Sequence, residues 1–381
     1  MKTLFVSSTG EMVQSTGGGS TERLLAEIFS ELGEVVLMMP VVFEMNRNDV
    51  SSLHMFKNVY SFNEKGIPLF MNPLYLRFFR KVVKKERPDV VVIAASFGSF
   101  PICLFTPRYS MLIYLSHIFE YGLLRKVDPG IAGLLKALRT KFLEKVVCEV
   151  SDHVIAVSYD DRDSISKTYR VLLSKISVVR SSKRNFLEAK RIPFPEARGR
   201  LGISPEKTIV LFHGSFNHPP NQTAFERISE RIAPIVFQKN KDIEFIIAGF
   251  GVPVFAQDNV HSVGYVEDLM DLIDASNMAV MPLEIGGGVR IKMIDYMSRG
   301  IPVIATVEAM EGIAYSNGKD VLIASDDNEF ADEIINLHED PERGKMIGGA
   351  AKQYAMDNFS QTAAKRDVER LLTNLRVLPS D

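Results

Sequence analysis

The 381-residue chain has no tryptophan, only two cysteines and seven histidines, and no apolar run long enough to span a bilayer. Cys103 and Cys148 stand far apart in apolar surroundings. That excludes a C-x-x-C redox pair, a zinc ribbon and a disulfide framework, and both read as buried thiols of a reducing compartment. No histidine and carboxylate cluster has metal-ligand spacing, so neither a metal nor any other cofactor is expected. The net charge of −2 lacks the basic excess of a nucleic-acid binder, and no such partner is expected. Met1 runs straight into the strand-like TLFVSS without a signal-peptide pattern, which points to the cytoplasm.

What is present is an ordinary globular composition, 46% hydrophobic and 24% charged, in a chain long enough for two domains. Its halves differ in charge. Residues 1–180 carry 23 Lys/Arg against 18 Asp/Glu, and residues 181–381 carry 22 against 29. Only the first half suits an acidic surface.

Apolar runs of strand length alternate with helical patterns throughout, the signature of parallel α/β units. The strands expected in the first half are Thr3–Ser7, Val35–Met39, Val90–Ala94, Met111–Leu115, His153–Val157 and Ile176–Val179. Ser181–Pro205 is basic, contains proline and has no periodic apolar face, so it reads as a linker. A second α/β series opens at Thr208–Phe212. The expected architecture is two Rossmann-like doubly wound domains, residues 1–180 and 206–359, with linker 181–205 between them and a ligand cleft at the carboxyl ends of both sheets.

Three segments could hold chemistry. Around Met281–Thr306, MPLEIGGGVRIKMIDYMSRGIPVIAT, a strand empties into Gly286, Gly287 and Gly288, and a helix opens behind Arg290 and Lys292. Glycines allow close backbone approach, a helix start offers unpaired N–H groups and a positive dipole end, and the two cations add full charge, so an anion such as a diphosphate fits. A second Gly-rich turn, Gly17, Gly18 and Gly19, precedes a helix and presents N–H groups in the same way. It is not a dinucleotide fingerprint, because Glu22 occupies the place of the third glycine. The alternative in both places is a plain βα turn. Gly214 and Ser215 follow the first strand of the second series, while His213 and His218 read as structural. His117 and Glu120 follow the fourth strand, where substrates bind in such folds; the other reading is a satisfied polar pair.

Taken in order, these residues resemble the retaining GT-B glycosyltransferases of family four. The resemblance rests on GGG-x-R-x-K with Asp295, then Gly300–Thr306 and Glu311-Gly312-Ile313. Gly214-Ser215 with Pro220-Asn221, Pro234, His117 with Glu120-Tyr121, Glu144-Lys145 and Ser151–Ser158 extend it over most of the chain. It implies transfer of a sugar from a nucleotide diphosphate-sugar, built on UDP or GDP, to a glycan, lipid-linked or small-molecule acceptor with retained configuration. It also implies that Arg290 and Lys292 stabilise the departing diphosphate with His117 catalytic beside them, that Asp295 meets the ribose, and that no metal is required. The glycine loops, Gly214 and Ser215 would bind donor, Glu120 would lie on the acceptor side, and the last helix, 360–381, would return to the first domain. The chain departs from the pattern at Asp295, where glutamate is usual, at Gly287, where a second acid is usual, and at Val179-Arg180-Ser181-Ser182, which lacks the Pro-Asn-Gly. Glu284 is the nearest acid to Gly287 and reads as exposed. These departures keep two alternatives open: a nucleotide-sugar-binding protein without transferase activity, and a GT-B nucleotide-sugar epimerase.

Finally, Tyr75–Arg87, YLRFFRKVVKKER, holds six Lys/Arg against one Glu. It reads either as a basic amphipathic helix in peripheral contact with the inner face of an anionic membrane or as a solvated outer helix.

Overall fold

Strand segments such as VVVIA at Val90–Ala94 have no polar alternation, so both of their faces must be covered, and helices cover them. The computed structural model describes residues 1–7, 17–40, 54–62, 71–127, 130–180, 191–285 and 289–377. Two units result, Met1–Arg184 with Gln361–Asp381, and Asn185–Ser360.

The first unit runs β1 (Lys2–Ser7), α1 (Gly17–Leu32), β2 (Glu34–Pro40), β3 (Asn58–Phe62), α2 (Pro73–Glu86), β4 (Val90–Ala94), α3 (Ser96–Cys103), β5 (Met111–Ser116), α4 (Glu120–Val127), α5 (Ile131–Val150), β6 (His153–Ala156), α6 (Tyr159–Tyr169) and β7 (Ile176–Val178). Its sheet is entirely parallel, in the order β3-β2-β1-β4-β5-β6-β7. The order reverses between β1 and β4, which places the crevice for ligands at their carboxyl ends.

The second unit runs α7 (Phe194–Leu201), β8 (Thr208–His213), α8 (Pro219–Arg227), α9 (Ala233–Lys239), β9 (Ile243–Ala248), β10 (Phe255–Gln257), β11 (Val260–Gly264), α10 (Leu269–Asp274), β12 (Met278–Met281), α11 (Ile291–Arg299), β13 (Val303–Ala305), β14 (Leu322–Ile323), α12 (Asp327–Glu339) and α13 (Pro341–Phe359). The sheet order is β10-β11-β9-β8-β12-β13-β14, with β10 antiparallel. Its six parallel strands repeat the winding of the first six strands of unit one, and the switch point lies between β8 and β12. A last helix, α14 (Gln361–Asn374), belongs to the first unit. There Ala364, Val368, Leu371 and Leu372 join Leu24, Leu25 and Ile28 in one core, and Lys365 pairs with Glu31 at 2.6 Å.

Four features refine the sequence expectations. Residues 191–205, expected as linker, include α7, because Arg198 is buried and laces the segment to the domain. Its guanidinium donates to the carbonyls of Ala275, Ser204 and Lys207 and to Asn277 Oδ1 at 2.6–3.0 Å. The rest of that expected linker, 181–190, lies outside the described residues. The helical stretch from α8 through α9 is broken by a π turn at Ile228–Ile232, just where Pro234 lacks an N–H for the Glu230 carbonyl. The edge strand β3 was not expected, since its exposed asparagine, valine and serine hide the pattern. Last, α2 turns Tyr75, Phe79, Val82 and Val83 into the core, so Tyr75–Arg87 has no apolar face left for a membrane; its outer face is charged.

Candidate functional site

Unit two builds its site at the switch point. β8 delivers Gly214, whose N–H donates to the Ala248 carbonyl at 2.9 Å, and α11 delivers Arg290 at its N-cap and Lys292 in its first turn. A Cβ on Gly214 would come within 2.6 Å of Lys292 Nζ and 2.8 Å of Asn221 Nδ2, so any larger residue there would displace the ammonium from this position. Asn221 ties the parts together: its Oδ1 accepts from Lys292 Nζ at 2.6 Å and its Nδ2 donates to the Ser215 carbonyl at 2.8 Å. Lys292 Nζ also lies 4.6 Å over the Phe212 ring. Arg290 donates to the Ile285 carbonyl at 3.0 Å, and its buried Nε has no hydrogen-bond partner among the described residues. Burial lowers the Arg290 pKa, with the charge of Glu311 acting against it. Burial, then the charges of Arg290 and Lys292, lower the pKa of His218 as well. The α11 N-terminus has no side-chain cap. Two cations, an unmatched donor and an uncapped helix start are therefore gathered at one sheet edge, an arrangement that favours an anion.

Asp295, one turn further along α11, is buried and faces His213 rather than open solvent: Oδ2 lies 3.6 Å from His213 Nε2. Tyr296 Oη accepts from the His213 N–H and contacts Nδ1, both at 2.9 Å. Glu284 is exposed and pairs with Arg231. Gly286, Gly287 and Gly288 lie outside the described residues.

The loop after β9 supports Gly214 from below. Gly249 has φ 151°, and a Cβ there would stand 2.0 Å from the Gly214 carbonyl oxygen. Gly249→Ala is expected to push the Gly214 turn out of place and to destabilise the protein by about 1–3 kcal/mol, with donor affinity falling alongside. Urea titration and nucleotide calorimetry on the same variant check it.

In unit one, the glycines expected as a loop belong to a helix: α1 opens at Gly17, so Gly17, Gly18 and Gly19 form its first turn. Glu22, fully buried on the next turn, lies 3.4 Å from His117 Nε2. Burial pushes the imidazole down to about 4, so His117 is neutral at pH 7. The Glu120 carboxylate accepts from the Ser96 N–H at 2.9 Å and from Ser96 Oγ at 2.6 Å, capping α3. Ala95, just before it, takes φ 62° and ψ 143°, a region that costs a residue with a Cβ roughly 1–3 kcal/mol and aims the Ser96 N–H at Glu120. Glu144 in turn accepts from the N–H groups of Glu120 and Tyr121 at 3.2 Å and from Tyr169 Oη at 2.5 Å. The acids of the expected acceptor side thus hold the backbone after β5.

Burial and the charge of Glu120 push the Glu144 pKa up to about 8, against the pull of its three donors. Between pH 4.5 and 8 the folded carboxyl keeps a proton that the unfolded one releases, so its contribution to stability is full below 4.5 and declines as the pH rises through 8. Glu144→Gln should flatten that slope, as read from urea midpoints at about pH 5 and 8.

The sequence pointed to Arg290, Lys292, Gly214 and His117. Asn221, His218, Tyr296 and the Ala95-Ser96 turn were not assigned roles. His218-Pro-Pro-Asn221 at a helix start was the available signal for the first two. Nothing local marks Tyr296 or Ala95.

The winding of the two sheets is that of the GT-B fold, which solved glycosyltransferases share. Within that class, residues 207–340 match the family described as Glycosyl transferases group 1. A glycosyltransferase from Rickettsia africae is similar over 100% of this chain and 99% of its own, with TM-score 0.72 and 14% identity. Anabaena Alr3699/HepE, solved with UDP and glucose, is similar over 98% and 99%, with TM-score 0.70 and 15% identity. In sequence, the O-antigen chain mannosyltransferase RfbU of Salmonella typhimurium is 25% identical over 229 residues, 58% of this chain. The match spans 61% of RfbU, and 56% of an uncharacterized 44.6 kDa protein from the cps region of Klebsiella pneumoniae.

Proposed function

We propose that the chain transfers a hexose from a UDP- or GDP-sugar to a glycan, lipid-linked or small-molecule acceptor with retention of configuration. The observation that carries this reading is the unmatched Arg290 Nε beside Lys292 Nζ at the uncapped start of α11. Charge develops on the diphosphate as the glycosidic bond breaks. These groups, with the Gly214-Ser215 turn, meet it without reorganising. The α1 start at Gly17–Gly19 offers N–H groups to the same donor, and Gly286–Gly288 are assigned to it with them. His117, neutral, hydrogen-bonds a sugar hydroxyl, and Glu120 shapes the acceptor side through the backbone it holds. Asp295, steadied by His213, serves the ribose. The reading needs no resident metal, so turnover should survive a chelator. RfbU, named for mannosyl transfer, supports a hexose as the group transferred, and HepE, solved with UDP, supports a uridine diphosphate donor.

No described helix is long and apolar enough to cross a membrane. A lipid-linked acceptor would bring a cytoplasmic enzyme to the inner leaflet, where the charged face of Tyr75–Arg87 gives electrostatic contact.

The test is incubation with a panel of nucleotide-sugars and cell-envelope acceptors, following nucleoside diphosphate release and the anomeric proton of the product. Acceptor-dependent release with a retained anomer is expected. Tight binding without release would make the chain a binding protein, and an epimerised donor would make it an isomerase.

A further inference from the structure

The helix α5 is apolar on two faces. One carries Ala137, Leu143 and Val147 into the core. The other carries Ile131, Leu134, Leu135, Leu138 and Phe142, spaced three, one, three and four apart, and it is uncovered: Ile131 is 83% exposed, Leu135 64% and Phe142 60%. At about 1.5 Å per residue the stripe is roughly 16 Å long. It does not stop at α5. Phe142 lies 6.2 Å from Phe100 of α3, and beyond the end of α3 come the exposed Leu104 and Phe105. Arg80 of α2 stands 4.4 Å over the Phe105 ring, joining the charged outer face of α2 to the apolar patch.

We infer that this face of α5 is a membrane-docking surface that inserts its apolar stripe into the interfacial region of an anionic bilayer. Cations edge the stripe: Arg139 lies 5.1 Å over Phe97 and Lys141 lies 4.9 Å over Tyr121. Of the acids of α5, Glu144 is buried and Glu149, near the far end of the helix, is paired with Lys145 at 3.5 Å. A second copy of the chain docked symmetrically would bring these like charges together, whereas phosphate headgroups neutralise them. Apolar centre and basic rim along one helix are what an interfacial helix requires. This surface goes beyond the sugar-transfer reading and does not depend on it.

The chain has no tryptophan, so Phe142→Trp creates a single reporter. With vesicles of phosphatidylglycerol and phosphatidylcholine, its emission should shift to the blue, and the wild-type chain should sediment with them. Leu135→Glu/Phe142→Glu, checked for an unchanged melting curve, should reduce vesicle partitioning by roughly tenfold or more. The more conservative Leu135→Ser/Phe142→Ser replaces it if the glutamates unfold the protein. An unshifted tryptophan, a wild type that stays in the supernatant, or a double variant that partitions like wild type would each overturn the inference. So would a wild-type dimer that the double variant dissociates without any change in vesicle binding. All of these readings are made without donor, so loss of the transferase reading would leave them standing.

Discussion

Lys292→Ala is expected to lower the turnover number for nucleoside diphosphate release by about 10²–10³-fold, the usual loss when one preorganised donor is removed from developing charge. The size follows from how firmly the ammonium is placed. Asn221 Oδ1 holds it at 2.6 Å, and the missing Cβ of Gly214 is what makes room for it. Lys292→Arg should not rescue, since a planar guanidinium needs space that Gly214 and Asn221 do not leave. Arg290→Ala should cost a similar factor, because its buried Nε has no described partner to lose except the ligand. Steady-state rates at saturating donor separate this from weaker binding alone: a raised KM with unchanged turnover would mean that both cations act only in the ground state.

Arg299→Ala should destabilise the protein by about 3–5 kcal/mol, the cost of leaving a buried charge without its partner. Arg299 closes α11, the helix whose other end carries Arg290 and Lys292. Its Nε donates to Asp274 Oδ1 at 2.8 Å and a second guanidinium nitrogen to Oδ2, with both side chains almost wholly buried. Among the described residues, removing the guanidinium leaves Asp274 facing the Ile192 N–H at 2.9 Å and Arg191 at 3.5 Å. A lowered urea midpoint with an unchanged slope is the expected readout. The pair Asp274→Asn/Arg299→Met should recover much of the loss, because it removes both charges instead of stranding one. An Arg299→Ala midpoint equal to wild type would show that water reaches Asp274 and that α11 is anchored elsewhere.

The winding of both sheets was readable because parallel strands buried on two faces are uniformly apolar, as in VVVIA and TIVLFH, and because helices must fill the intervals. Elements whose stability comes from a single polar anchor were not. Residues 191–205 look like a linker until Arg198 is seen binding four carbonyls, and β3 is an edge strand with little apolar pattern. The site was readable where chemistry requires a residue type in a local order, as at Arg290 and Lys292 after the glycines. It was unreadable where a long-range partner decides the role. Nothing local tells that Asp295 lies against His213, 82 residues earlier, or that Glu120 caps α3. The same holds for the surfaces: Tyr75–Arg87 drew attention for its six Lys/Arg against one Glu among aromatics, yet its apolar face is core. The exposed stripe belongs to α5, where apolar residues on two faces blur the periodicity.

The most direct measurement is calorimetric affinity for UDP, UMP, GDP and GMP with the wild type and with Arg290→Ala/Lys292→Ala. If α11 holds the diphosphate, the wild type should prefer one diphosphate over its monophosphate by roughly 10- to 100-fold, and the double variant should abolish that preference while keeping most of the monophosphate affinity. Equal loss for both, or a diphosphate preference that survives the double variant, would contradict the placement of the diphosphate at the start of α11.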